Sequence, residues 1–282
     1  MKLKVIAVEL PNQVRLQYVE QGDSLGLPLI LLHGYVDSWH SFRRVLPYLP
    51  RSIRTFALTQ RGHGDASRPV TGYRPRDFAT DLAEFMDVLG LQPAVIAGGS
   101  SGGIIARRFA IDHPNRTLGL ILAGSPHTLQ DKPSVLELWD STISKLEDPI
   151  DPSFVRGFMM NQLAQQVPQV FLKTMLKENL KVPARVWKAT LKGLLEDDSL
   201  EQLNKIKAPT LIVWGDKDVV IPRSDQEALL KQIAGSRLVV YPGAGHALYW
   251  EEPARFASDI VAFIENLNCL REVLPPINLK SL

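Results

Sequence analysis

Strand and helix signals alternate along this chain, and the alternation predicts the α/β class: a mostly parallel sheet with helices on both faces. Two further observations shape that prediction. The apolar runs are of strand length, and between them lie stretches long enough for the crossover helices that parallel neighbours require. One long segment, 126–207, breaks the alternation and carries helical patterns only.

Taken in order, Val14 to Val19 alternates apolar and polar residues, as a half-buried strand does. Leu29 to Leu32 is a short apolar run closed by His33-Gly34, the pattern of a buried strand. No helix separates these two, so they are expected to pair as an antiparallel hairpin at the sheet edge. Trp39 to Leu49 has helical spacing. Arg54 to Leu58 reads as a strand, and Pro75 to Leu89 as an amphipathic helix stopped by Gly90. Ala94 to Ala97 is a strand, Gly102 to Ile111 a helix and Leu118 to Ala123 a strand. Beyond Ala208-Pro209, strands at Thr210 to Trp214 and Arg237 to Tyr241 alternate with helices at Ser224 to Ile233 and Pro253 to Leu267.

Within 126–207, helices are expected over Ser134 to Leu146, Pro152 to Leu163, Pro168 to Leu180 and Pro183 to Leu195, several opened by proline near the first turn. The chain of 282 residues then divides into a core (1–125 and 208–272), an inserted helical segment (126–207) and a C-terminal tail (273–282) around Pro275-Pro276.

The bulk composition narrows the function classes. A net charge of +2 gives no basic face for nucleic acid or an anionic membrane. No apolar run reaches the length of a transmembrane helix. The one cysteine, Cys269, excludes an internal disulfide, and no Cys/His spacing resembles a structural zinc site. Met1 to Val5 leads into no long apolar stretch, so a cytoplasmic protein without a secretory signal is expected. No motif implies a metal or an organic cofactor. The expected partner is a small-molecule substrate, and the expected state a monomer or homodimer.

Gly98-Gly99-Ser100-Ser101-Gly102 fits G-x-S-x-G between a strand and a helix. A tight turn there lifts the Ser100 hydroxyl above the sheet, and the helix behind it favours developing negative charge. No Lys-Ser/Thr follows the glycines, so this is not a phosphate loop. A serine hydroxyl needs a base. His246 stands in Pro242-Gly243-Ala244-Gly245-His246, just after a strand, and such loops gather at the carboxyl edge of a parallel sheet with Ser100. His33 and His63 also follow strands, but each precedes glycine and is expected to organise its own turn. The base needs an orienting acid, and Gly215-Asp216-Lys217-Asp218 offers two, with Asp218 favoured. The loop after Ala123 reads Gly124-Ser125-Pro126 and holds no carboxylate. An oxyanion needs two donors, expected from the main-chain amides of Tyr35 and Ser101.

Together these blocks resemble the α/β-hydrolase superfamily over most of the chain outside the insertion. Leu31-Leu32-His33-Gly34-Tyr35 is similar to its oxyanion segment, Gln60-Arg61-Gly62-His63-Gly64 with Ser67 to the turn after strand four, and Gly98 to Gly103 to its nucleophile elbow. Gly99 departs from the pattern, since a larger residue is common there. The resemblance implies an eight-stranded sheet, a helical cap over the site, and a serine hydrolase that cleaves a carboxylic ester or lactone through an acyl-enzyme. It sets aside haloalkane dehalogenases and epoxide hydrolases, whose nucleophile is aspartate. Carbon–carbon bond hydrolases, cofactor-free perhydrolases and ligand-binding, receptor-like members remain as alternatives. Trp39, His127, Trp139 and Trp250, with Tyr35, are candidates for lining the substrate pocket.

Overall fold

The computed structural model describes residues 3–273; of the tail expected over 273–282, only Val273 falls within them, at the end of a helix. Eight strands form one sheet: β1 (Val5–Glu9), β2 (Arg15–Gln21), β3 (Leu27–Leu32), β4 (Ile53–Thr59), β5 (Ala94–Gly99), β6 (Thr117–Ala123), β7 (Thr210–Gly215) and β8 (Ser236–Tyr241), in the order β1-β2-β4-β3-β5-β6-β7-β8. Only β1–β2 and β2–β4 pair antiparallel; every other neighbouring pair is parallel.

The edge hairpin is therefore not the expected one. β2 pairs with β1 and β4, while β3 lies between β4 and β5. The burial of β3 explains this. Ile30 and Leu32 enter the apolar cluster on one face, Leu29 and Leu31 the cluster on the other, and all four are inaccessible to solvent. A strand apolar on both sides belongs inside a covered parallel sheet, not at its edge. β1, absent from the sequence reading, is a short edge strand with mainly exposed side chains and little alternation to detect.

Helices α1 (Pro75–Val88), α2 (Ser101–Asp112), α3 (Pro133–Ser141), α4 (Pro152–Met160), α5 (Gln169–Leu180), α6 (Ala184–Leu195), α7 (Arg223–Gln232), α8 (Leu248–Glu251) and α9 (Pro253–Val273) complete the fold. α1, α2 and α7 send Phe85, Phe109 and Leu229 into one apolar cluster, and α9 sends Phe256, Ile260 and Phe263 into the other. The helix expected over Trp39 to Leu49 is instead two short 3₁₀ turns, Trp39–Phe42 and Leu46–Tyr48. Pro47, which carries no backbone N–H to donate, sits in the second. The helix expected over Ser134 to Leu146 stops at Ser141 and resumes as a 3₁₀ turn over Ile143–Lys145.

Between β6 and β7 the chain forms only helices and turns, α3 to α6 among them. They share the core on both sides: Val155, Val186 and Trp187 join one cluster, Met159, Phe171 and Met175 the other. Arg107 of α2, fully buried, ties both ends of this segment to the sheet layer. Its guanidinium donates to the Pro126 carbonyl (2.7 Å) and to Asp197 Oδ2 (3.1 Å), and Ser199 donates to the same Asp197 oxygen (2.6 Å). No helix among the described residues is long and apolar enough to cross a membrane.

Candidate active site

The turn from β5 into α2 holds Ser100 at φ 51°, ψ −122°. A non-glycine residue with positive φ is strained, and here close packing sustains it. The Ser100 amide donates to the Ala123 carbonyl at the end of β6 (2.8 Å). A Cβ on Gly102 would press against the carbonyls of Leu32 and His33, and one on Gly103 against the Ser125 side chain. Small residues thus let the start of α2 touch the ends of β3 and β6. Gly99 also has its reason: a Cβ there would stand 2.7 Å from the Tyr249 ring, which is stacked on Phe42. Tyr249 fills the volume that a larger residue at 99 would take.

The loops after β5, β7 and β8 bring three side chains into line. The His246 ring, assigned its tautomer by these partners, donates from Nδ1 to Asp218 Oδ2 (2.8 Å) and accepts the Ser100 hydroxyl at Nε2 (2.8 Å). Asp218 is fixed through its other oxygen, which accepts the amides of Val220 and Ile221 (2.8 Å each). Asp216 is occupied elsewhere, accepting the Gly243 amide (2.6 Å). Both carboxylates of that loop are thus placed, and only Asp218 reaches the histidine.

One supporting residue escaped the sequence reading. Glu251, in α8, accepts the Gly245 amide (2.6 Å) with one oxygen and the amides of Ala164 and Gln165 (2.6 and 2.9 Å) with the other. The Ala247 amide donates to the Gln162 carbonyl (3.1 Å). The histidine loop is thereby stitched to the segment between α4 and α5. The available signal was an acid directly after the apolar run Ala247 to Trp250.

Tyr35 and Ser101 line the same cavity as Ser100, and neither amide donates to another protein group among the described residues. The Tyr35 phenol donates to the Trp187 carbonyl on α6 (2.7 Å), and burial pushes its pKa well up. His33 and His63 organise turns. The His33 ring donates to Gly34 O (2.8 Å) and accepts the Gln60 amide (3.1 Å), and His63 donates to Arg61 O (2.7 Å). Burial holds His33 well below the ordinary histidine range and His63 at about 4.

A cavity of about 510 Å³ opens above Ser100. Its wall includes Tyr35, Leu138, Phe154, Phe158, Leu194 and Val220. The four other candidates for its lining are not part of it. Trp39 is buried against the His40 ring, and Trp250 is inaccessible beneath Phe171 and Tyr249. Trp139 packs half-buried on the outer core, and His127 turns its amide to Asp225 (2.8 Å), one residue beyond Pro126 at the cavity wall.

Comparison with known proteins accords with this architecture. The chain is 29% identical over 85% of its length to a 2-hydroxymuconate semialdehyde hydrolase of Pseudomonas sp., covering 87% of that protein. It is 30% identical over 72% of its length to a soluble epoxide hydrolase of Corynebacterium sp., covering 78% of it. An esterase structure from Exiguobacterium antarcticum superposes with a TM-score of 0.82 at 26% identity, over 92% of this chain and 98% of that one. The family model for the alpha/beta hydrolase fold matches residues 28–253, and the chain belongs to that family of hydrolases.

Proposed function

We propose that this hydrolase cleaves carboxylic esters or lactones through an acyl-enzyme on Ser100. The observation that carries the reading is the hydrogen-bonded line Ser100–His246–Asp218, with 2.8 Å at each step, at the floor of a mainly apolar cavity. Ser100 Oγ attacks the carbonyl carbon as His246 Nε2 takes its proton, and Asp218 stabilises the imidazolium that forms. The new oxyanion is received by the Tyr35 and Ser101 amides, at the positive end of α2. As the intermediate collapses, His246 gives its proton to the leaving alkoxide. A water then attacks the acyl carbon, again losing a proton to His246, and Ser100 is released.

The inserted helices act in this reading as a cap. Leu138, Phe154, Phe158 and Leu194 supply an apolar wall for the acyl or alcohol part of the substrate. Serine at position 100 favours ester cleavage over epoxide opening, for which the resembling enzymes use aspartate. The test is steady-state hydrolysis of p-nitrophenyl esters. Ser100→Ala should lower kcat by roughly 10⁴-fold or more. Near-normal turnover by that variant would refute the reading.

A further inference from the structure

Asp37 has no part in the chemistry above, yet it lines the cavity, two residues beyond Tyr35. The fold takes pains to hold it there. Val36, a β-branched residue, is bent to φ 60° to make the turn. The Asn179 side-chain amide of α5 donates to the Val36 carbonyl (2.8 Å) and to Asp37 Oδ1 (3.1 Å), and Ser41 Oγ donates to Oδ2 (2.9 Å). A single point locates the carboxyl relative to the nucleophile. The place where a Cβ on Gly34 would stand is 3.6 Å from Asp37 Oδ2 and 3.4 Å from Ser100 Cβ. Carboxyl and nucleophile thus flank one point beside Gly34.

Of the titratable groups near Asp37, the His246 ring favours its ionised form, and Tyr249 of α8 has its pKa pushed up by burial and by the Asp37 charge. Glu178 of α5, next to Asn179, faces the His40 ring (3.7 Å). Lys181, at the end of α5, is paired to Glu178 and Asp65 (2.8 and 2.7 Å). Among the described residues no Arg or Lys lines the cavity. Burial pushes the Asp37 pKa up to about 6, so above that pH it is a carboxylate. An anionic substrate group entering this space meets repulsion in a poorly screened setting and no counter-charge to replace its lost water. An uncharged substrate meets neither penalty.

We propose that Asp37 is a specificity-determining residue, which restricts the site to uncharged esters and turns away esters whose acyl chain ends in a carboxylate. The proposal rests on the ester-hydrolase reading of Ser100 and names its substrate class. Strain at Val36 and a buried acid on one loop fit a residue kept for function at a cost in stability.

The experiment compares three p-nitrophenyl esters at about pH 8: the hexanoate, the mono-adipate with its free carboxylate, and the methyl ester of that adipate. The wild-type protein should hydrolyse the two neutral esters with kcat/KM values within about 10-fold of each other. The free adipate should fall about 100-fold or more below its methyl ester. Asp37→Asn should close at least about 10-fold of that gap, mainly through a lower KM for the free adipate. A second measurement needs no variant. At about pH 5 Asp37 is largely protonated while an adipate carboxyl stays ionised, so the wild-type ratio between free and methylated adipate should narrow. Taking the ratio cancels any change of rate with pH that the two esters share. Equal use of free and methylated adipate, or a gap unchanged both in Asp37→Asn and at about pH 5, would overturn the proposal while leaving the ester reading intact. No turnover of either neutral ester would instead overturn the ester reading, and this proposal with it.

Discussion

The carboxyl-edge loops of the sheet and the inserted helices above them meet at one cavity but are held on different terms. In the loops, each candidate reactive group is fixed by hydrogen bonds. Asp218 accepts two main-chain amides, Ser100 is anchored to β6, and Glu251 grips the histidine loop. The inserted helices present Leu138, Phe154, Phe158 and Leu194 to the same cavity, side chains that offer packing alone. The difference teaches where each property resides. Chemistry depends on a few groups whose displacement is costly, and substrate fit on many apolar contacts whose loss is cheap.

Disturbing the loops should have the largest effect. Asp218→Asn leaves a side chain of the same shape but favours the wrong histidine tautomer, and kcat for ester hydrolysis should drop roughly 10⁴-fold. A loss under 10-fold would mean that the line of hydrogen bonds is not the working one. Next in size is the anchor between the two regions. Asp197→Asn would leave the buried Arg107 charge without its carboxylate, at a cost of about 3–5 kcal/mol in urea unfolding. A loss below 1 kcal/mol would show that Arg107 does not join the regions.

The third effect separates the regions by pH. His63 takes up a proton at about 4 in the folded protein, against 6.5 for an ordinary histidine. Between those values the unfolded chain binds more protons, so this contribution to stability is complete above pH 6.5 and is lost as pH falls through 4. It amounts to about 3 kcal/mol. His63→Asn should flatten the fall in unfolding free energy between pH 7 and pH 4.5 by about 2 kcal/mol, the part of that total which lies in this window. An unchanged slope would contradict the burial of a neutral ring. Smallest is the effect of trimming the cavity wall. Leu138→Ala or Phe158→Ala should shift the preferred acyl chain length about 10-fold in kcat/KM, with little change in kcat on the best ester.

The same division governs what could be read without a structure. Ser100, Asp218 and His246 were legible because each follows a strand, and a parallel sheet gathers such loops at one edge. The choice between Asp216 and Asp218 had no local signal of its own; the Gly243 amide, 27 residues away, takes Asp216 out of reach. Sheet order was hidden for a similar reason. Nothing local distinguishes consecutive strands that pair from β2 and β3, which β4 separates. The wall of the cavity was least legible. Trp39 and Trp250 lie close in sequence to site residues, but their rings turn into the core, while Leu138 and Phe158 reach the cavity from helices over fifty residues from His246 in the chain. Asp37 lies two residues past the recognised segment Leu31 to Tyr35, and only its burial and its place at the cavity set it apart.

The central claim is that Ser100 is a nucleophile activated by His246. The most direct measurement is labelling with a fluorophosphonate, followed by mass-spectrometric mapping of the modified peptide. The account predicts one adduct per chain, on Ser100, with none in Ser100→Ala and labelling at least about 100-fold slower in His246→Ala. An adduct on another residue, or labelling of Ser100→Ala at the wild-type rate, would contradict it.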